Sequence, residues 1–210
     1  MRILAVSDTV ISSLYHPKLL EVFGRIDLVI SCGDLPYAYV EYLVSKLDVP
    51  TFYVRGNHCA QPGPNDTGQL SEPQGATDLH RRLARQNGVL FAGVEGSLRY
   101  RPGPFQYSQN EMWLHVWSLV PGMLWNRRRY GRYVDIFVTH APSAGIHDQP
   151  DLPHQGIRAF RWLVSTFKPR YHIHGHIHTY RPDTIMETQV GPTTVLNAYG
   201  YRFIQWELTT

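Results

Sequence analysis

The chain of 210 residues contains only two cysteines, Cys32 and Cys59, and its formal net charge is only +3. Two thiols cannot build a disulfide framework, and a single bridge would be weak grounds for secretion, so a reducing compartment is expected. No apolar run approaches the roughly 20 residues needed to span a bilayer. Met1-Arg2 leads straight into Ile3-Leu4-Ala5-Val6, without the long apolar stretch and cleavage site of a signal peptide. The expectation is a soluble, cytoplasmic protein. Internal repeats and low-complexity tracts are also lacking, and a charge-poor chain with 43% apolar residues has enough apolar surface to offset its ordering entropy, which excludes disorder. The small positive balance does not by itself argue for a nucleic-acid partner. The length fits one domain, residues 1–210, because single cores stop growing at about 250 to 300 residues.

Histidine is what the chain has in excess. There are 11, and seven fall between His140 and His178. Imidazole titrates near neutrality and is the commonest metal ligand, so this placement is the first functional hint.

Short, β-branched apolar runs end repeatedly in polar clusters. Ile3–Val6 leads to Ser7-Asp8, residues 28–32 to Gly33-Asp34, and residues 52–55 to Gly56-Asn57-His58. Later, residues 134–138 lead to Thr139-His140, and Tyr171–His174 to Gly175-His176-Ile177-His178. Such runs, joined by helix-like segments, predict buried and mostly parallel strands. Ligands of α/β sheets gather beyond the carboxyl ends of strands, where these clusters fall.

Between the clusters, residues 61–75 read as an ordered loop or small lid, and residues 77–87 as a helix ended by Gly88. Val89–Val94 is a strand. Residues 109–120 read as a helix broken by Pro121-Gly122, before a second short segment ending in Arg127-Arg128-Arg129. Residues 155–167 form an amphipathic helix. The end of the chain reads as antiparallel strands over 184–190, 193–197 and 201–208, with Gly191-Pro192 as a turn.

Asp8, Gly33-Asp34, Gly56-Asn57-His58, Thr139-His140 and Gly175-His176-Ile177-His178, in that order, resemble the calcineurin-like metallophosphoesterase superfamily over nearly the full length. Within it, the stretch from His140 to His178 is similar to the metallophosphoesterase-domain and cyclic-nucleotide phosphodiesterase group. The resemblance implies an α/β fold: a four-layer α/β/β/α sandwich of two mixed β-sheets flanked by helices. It implies metal-dependent hydrolysis of phosphoesters, with a phosphodiester favoured. Asp34 would bridge two ions, Asp8 and His178 would hold the first, and Asn57, His140 and His176 the second. His58 would stabilise the transition state or protonate the leaving oxygen, and Arg55 would hold phosphate through its planar fork or be an ordinary strand-end arginine. The nitrogen and oxygen donor set implies one or two divalent or trivalent ions, with manganese or iron favoured and zinc also accommodated.

Two departures stand out. The family's first motif is usually Asp-x-His, whereas Asp8-Thr9-Val10 ends in a side chain that cannot coordinate. The acidic residue usual after Gly-Asn-His is here Cys59. These departures keep open a protein that binds metal or a phosphorylated ligand with little turnover.

The loop 145–154 places His147 and His154 as candidate substrate contacts or replacement ligands, against the simpler reading that they cap the next helix. His172 and His174 read as satisfied core or sheet histidines. The segment at about 98–132 is a candidate cap or insert. Its tryptophans and Arg127, Arg128, Arg129 and Arg132 would allow contact with a membrane surface or nucleic acid, the latter being the only support for a nuclease, but a helix packed by its Trp stripe with solvated arginines is the simpler reading. The expected substrate is a small-molecule phosphoester. No protein partner can be inferred.

Overall fold

The structure, a computed structural model, describes residues 1–59, 72–179 and 184–207. Most of the loop expected over 61–75 lies outside these residues.

In chain order the elements are β1 (Arg2–Ser7), α1 (Leu19–Phe23), β2 (Leu28–Ser31), α2 (Tyr37–Leu47), β3 (Thr51–Tyr53), β4 (Thr77–Asp78), β5 (Arg82–Gln86) and β6 (Val89–Val94). There follow β7 (Ser97–Leu98), β8 (Gln106–Tyr107), α3 (Gln109–Tyr130), β9 (Ile136–Thr139), α4 (Arg158–Phe167), β10 (Tyr171–His174), β11 (Glu187–Val190), β12 (Thr193–Asn197) and β13 (Gly200–Gln205). One sheet has the order β13-β1-β2-β3-β4, the other β11-β12-β10-β9-β6-β5, and β7 pairs with β8. Each large sheet is mixed. The central pairs run parallel, while β13 joins β1, β11 joins β12 and β5 joins β6 antiparallel.

Alternation along the strands builds the layers. Ile3 and Ala5 of β1 point between the sheets, where they join Ile30, Phe91, Val138 and Ile173 in the central core. Leu4 and Val6 point the other way and pack under α1 and α2 with Leu19, Val40 and Leu43. On the far side, Ala92, Val94 and Phe137 meet Met112, Val116 and Leu119 of α3, and Phe160 and Leu163 of α4. The result is the four-layer α/β/β/α sandwich of two mixed sheets flanked by helices.

Two local expectations are corrected. Residues 77–87 are not a helix: they contribute β4 and then β5, which forms a hairpin with β6. Asn87 and Gly88 both have positive φ, 49° and 80°, as a two-residue turn between twisted strands requires. The helix expected to break at Pro121 is instead continuous from Gln109 to Tyr130. Pro121 sits on the solvent side, where water can satisfy the Trp117 carbonyl that it leaves without an intrahelical donor. A capping box starts α3, with the Ser108 N–H donating to Glu111 Oε2 at 2.7 Å and Ser108 Oγ accepting from the Glu111 N–H at 3.3 Å. The segment 98–132 thus supplies part of the outer helical layer. The helix expected over 155–167 is confined to α4, and the last antiparallel strands shorten to β11, β12 and β13.

Candidate metal centre

Five strand ends converge at one edge of the sandwich. Asp8, Asp34 and Asn57 follow β1, β2 and β3 of one sheet. His140, His176 and His178 follow β9 and β10 of the other. Asp8, Asp34 and His176 have φ of 66°, 54° and 68°, a left-handed conformation that side chains rarely adopt. Each costs about 1 to 3 kcal/mol and persists where its surroundings over-determine it. Here each turns a side chain able to ligate a metal off its strand into the gap between the sheets. That gap is narrow. A Cβ on Gly33, itself at φ 96°, would lie 2.6 Å from Gly56 N and 2.7 Å from His140 Nδ1. One on Gly56 would lie 2.1 Å from Asp34 Oδ1.

The backbone fixes the histidine tautomers. The Cys32 carbonyl lies 2.8 Å from His140 Nδ1 and the Pro153 carbonyl 2.8 Å from His176 Nε2. A carbonyl only accepts, so both nitrogens carry protons and the lone pairs lie on His140 Nε2 and His176 Nδ1. These two nitrogens face each other at 3.1 Å. Asn57 Oδ1 is 3.0 Å from His140 Nε2, and Asp34 Oδ2 is 3.2 Å from it. Asn57 is oriented in turn by its Nδ2, which donates to Tyr100 Oη at 3.3 Å. Four acceptors therefore meet at one point, an arrangement that needs a cation. The donor atoms of Asp34, His140 and His176 all lie within 4.8 Å of one another.

Charge behaves accordingly. Burial raises the Asp34 carboxyl, but the His140 charge, its hydrogen bond and the His58 N–H outweigh it and hold the pKa at about 2. Burial lowers His140, and the Asp34 carboxylate more than compensates, raising it to about 9. Without a metal, a proton on His140 takes the cation's place. Burial, followed by the charge on His140, lowers His176 to about 4.

A second group lies beside the first. Asp8 Oδ2 accepts from the His176 N–H at 2.9 Å. Among the described residues Asp8 Oδ1 is buried without a hydrogen-bond partner, and His178 Nε2 is 3.5 Å away. The contact with Asp8 raises the pKa of His178 against its desolvation. An orphaned carboxylate oxygen facing an imidazole fits a metal position with few protein ligands. Val10, at the place where an imidazole was missed, is 41% exposed and offers nothing to coordinate.

The other candidates separate clearly. The His58 N–H donates to Asp34 Oδ1 at 2.8 Å, and the residue is exposed beside that carboxylate. Arg55 has other partners: its guanidinium lies 2.9 Å from Asp78 and 3.2 Å from Glu95, with Tyr53 Oη at 3.2 Å. The Cys59 Sγ accepts from the Gly56 N–H at 3.2 Å, and burial pushes the thiol up to about 11. His154 is bonded to Asp151 at 2.5 Å, and its ring lies 5.4 Å from the His176 ring, at the rim of the centre. His147 is turned to His174 and Thr188, each at 2.9 Å. His172 and His174 are buried and satisfied, His172 by Thr139 and Ser143, and His174 by His147 and the Gly175 carbonyl.

Residues that orient the ligands escaped the sequence reading. The carbonyls of Cys32 and Pro153 carry no side-chain signature, and Tyr100 lies in a Pro- and Gly-interrupted stretch remote in sequence from Asn57. An open cleft of about 600 Å³ runs alongside His178, with Ile146, Asp148, Ile177 and Thr188 among its walls.

Fold and centre together define a two-sheet α/β protein with a candidate metal site at the carboxyl ends of its strands. The chain belongs to the calcineurin-like phosphoesterase family, whose sequence model matches residues 1–180. Among solved structures, one crystal structure is similar with a TM-score of 0.63 and 16% identity, over 97% of this chain and 94% of that one. The protein TT1561 of Thermus thermophilus is similar with a TM-score of 0.57 and 20% identity, over 95% of this chain and 89% of that one. At these identities the likeness is one of fold. No curated protein sequence matches the chain.

Proposed function

We propose that this protein hydrolyses small-molecule phosphodiesters with two metal ions, manganese or iron in preference to zinc. The observation that carries this reading is the convergence of Asp34 Oδ2, Asn57 Oδ1, His140 Nε2 and His176 Nδ1, with both imidazole lone pairs aimed inward by backbone carbonyls. When bound, two such ions polarise phosphoryl oxygens and lower the pKa of a water for in-line attack. Asp34 would bridge the two ions, with Asp8 and His178 holding one and Asn57, His140 and His176 the other. His58, exposed next to Asp34, is placed to meet the leaving oxygen and give it a proton. Arg55 braces the exit of β3 through Asp78 and Glu95. A guanidinium so neutralised favours a diester, with one negative charge, over a doubly charged monoester. His154, at the rim beside His176, is the candidate substrate contact.

A second reading, a metal- or phospholigand-binding protein with little turnover, is favoured by Val10, which leaves the first metal position with Asp8, Asp34 and His178. Assay of the manganese-loaded protein on bis(p-nitrophenyl) phosphate separates the two. The diesterase turns this substrate over, and Asn57→Ala and His140→Ala each lose about 100-fold or more. Absence of turnover with each of manganese, iron, zinc and nickel overturns the diesterase in favour of the binding protein.

A further inference from the structure

The outward side of α3 is apolar where solvent exposure predicts polar residues. Leu114, Trp117, Leu124 and Trp125 are 61, 54, 54 and 66% exposed. At 100° per residue these four, with Pro121, fall on one strip opposite the buried Met112, Val116, Leu119 and Met123. Trp117 is held in place against Trp113, with ring centroids 5.7 Å apart. The helix is thus apolar on two opposite sides, and among the described residues only one is covered by the fold.

The strip is flanked by arginines from two elements. Arg128 and Arg129 extend it at the end of α3. From the hairpin alongside, Arg81 Nε donates to Ser118 Oγ at 3.4 Å, and Arg85 and Arg129 lie over the same Tyr130 ring, at 4.9 and 5.6 Å. None of these four arginines makes an ion pair among the described residues. Glu111, on the same helix, is already bonded to Arg99. The face therefore offers unneutralised guanidinium groups beside exposed indole rings and leucines.

We propose that this face docks the protein on an anionic lipid membrane surface, with α3 lying in the interface plane. Indole and leucine side chains enter the headgroup and acyl boundary while the guanidinium groups pair with lipid phosphates and carboxylates. The alternatives fit less well. The two indole rings could stack bases, but Leu114, Pro121 and Leu124 beside them add apolar area that a nucleic acid would leave in water and a membrane interface would bury. A second copy of the chain would bring another unneutralised arginine cluster to the contact.

The test is co-sedimentation of the metal-loaded protein with vesicles of phosphatidylcholine alone and with about 30 mol% phosphatidylserine. Binding is expected to the anionic vesicles only and to weaken with added salt. Each arginine near such a surface is worth about fivefold, so Arg128→Ser with Arg129→Ser weakens binding about 25-fold. Trp117→Ser with Trp125→Ser weakens it about tenfold or more, with the cooperative thermal melt retained because neither ring is in the buried core. Absence of binding, equal binding to neutral vesicles, or wild-type binding by both variants overturns the proposal. So does a dimer or an RNA complex that the tryptophan variant abolishes while vesicles remain unbound.

Discussion

Replacing Gly56 by alanine adds one methyl group at the tightest point of the centre. The new Cβ would lie 2.1 Å from Asp34 Oδ1, 2.5 Å from Asp34 Cγ and 2.7 Å from His140 Cε1. Favourable non-bonded contact between heavy atoms starts near 3.5 Å, so the carboxylate has to retreat by more than about 1 Å. Metal sites tolerate ligand errors of about 0.2 Å, and a displacement of about 1 Å costs on the order of 100-fold in rate. The same overpacking costs about 1 to 3 kcal/mol of fold stability, which lowers the melting temperature of a chain this long by roughly 2 to 12 °C. The expected signature is a folded protein with little bound metal. It is read by calorimetric titration with manganese, metal content after gel filtration, diesterase turnover and a thermal melt. Gly191→Ala is the control: this glycine has φ 58° and nothing within 4 Å of its added Cβ, so the variant pays backbone strain and retains the metal. Wild-type metal affinity and turnover in Gly56→Ala would show that the contact between Asp34 and His140 does not build the centre.

Three further outcomes follow from the same geometry. Val10→His supplies an imidazole beside Asp8 and is expected to tighten the weaker metal site, seen as a second equivalent binding at lower manganese concentration; an unchanged isotherm refutes the placement. Arg55→Met leaves the buried carboxylates of Asp78 and Glu95 facing each other and should cost about 3 to 5 kcal/mol, with part of the melting temperature recovered by adding Glu95→Gln; an unaltered melt with lost turnover would instead mark Arg55 as a substrate contact. Burial lowers His80 to about 4 from 6.5, so between these values the unfolded chain binds the proton and the fold does not. Stability is then present above pH 6.5 and lost as pH falls toward 4, by up to about 3 kcal/mol from this residue; urea unfolding in a chelator at pH 7.5 and 5 should show a smaller loss for His80→Gln than for the wild type, and equal losses would exclude His80 as the cause.

Much of the centre was legible because its ligands lie directly after apolar strands. Asp8, Asp34, Asn57, His140, His176 and His178 come together as the order of their motifs implied, and the two sheets follow from the alternation that sends Ile3 inward and Leu4 outward. The failures were local. The hairpin of β5 and β6 carries Leu83 and arginines at spacings that also suit a helix, and only Asn87-Gly88 marked the turn. Pro121 reads as a breaker unless its neighbours are known to face solvent. The ion pairs of Arg55 could not be read from its motif: Asp78 comes from β4, beside β3 in the same sheet, and Glu95 follows β6 in the other sheet.

The ligands come from both sheets, Asp34 and Asn57 from one, His140 and His176 from the other. Coordination would therefore also act as a rivet, adding to the contacts that already join the two sheets at this edge: the Cys32 carbonyl with His140, the His176 N–H with Asp8, and the chain itself, which passes from β12 to β13 there. Removing the ion costs the native state RT ln(1 + [M]/Kd), about 2.7 kcal/mol at a hundredfold excess over Kd. It would leave the sheets joined at that end by those contacts and by the charge pair of His140 with Asp34. Chelation would then do more than silence chemistry. It would also loosen the sandwich at its ligand-bearing edge, where the two sheets meet.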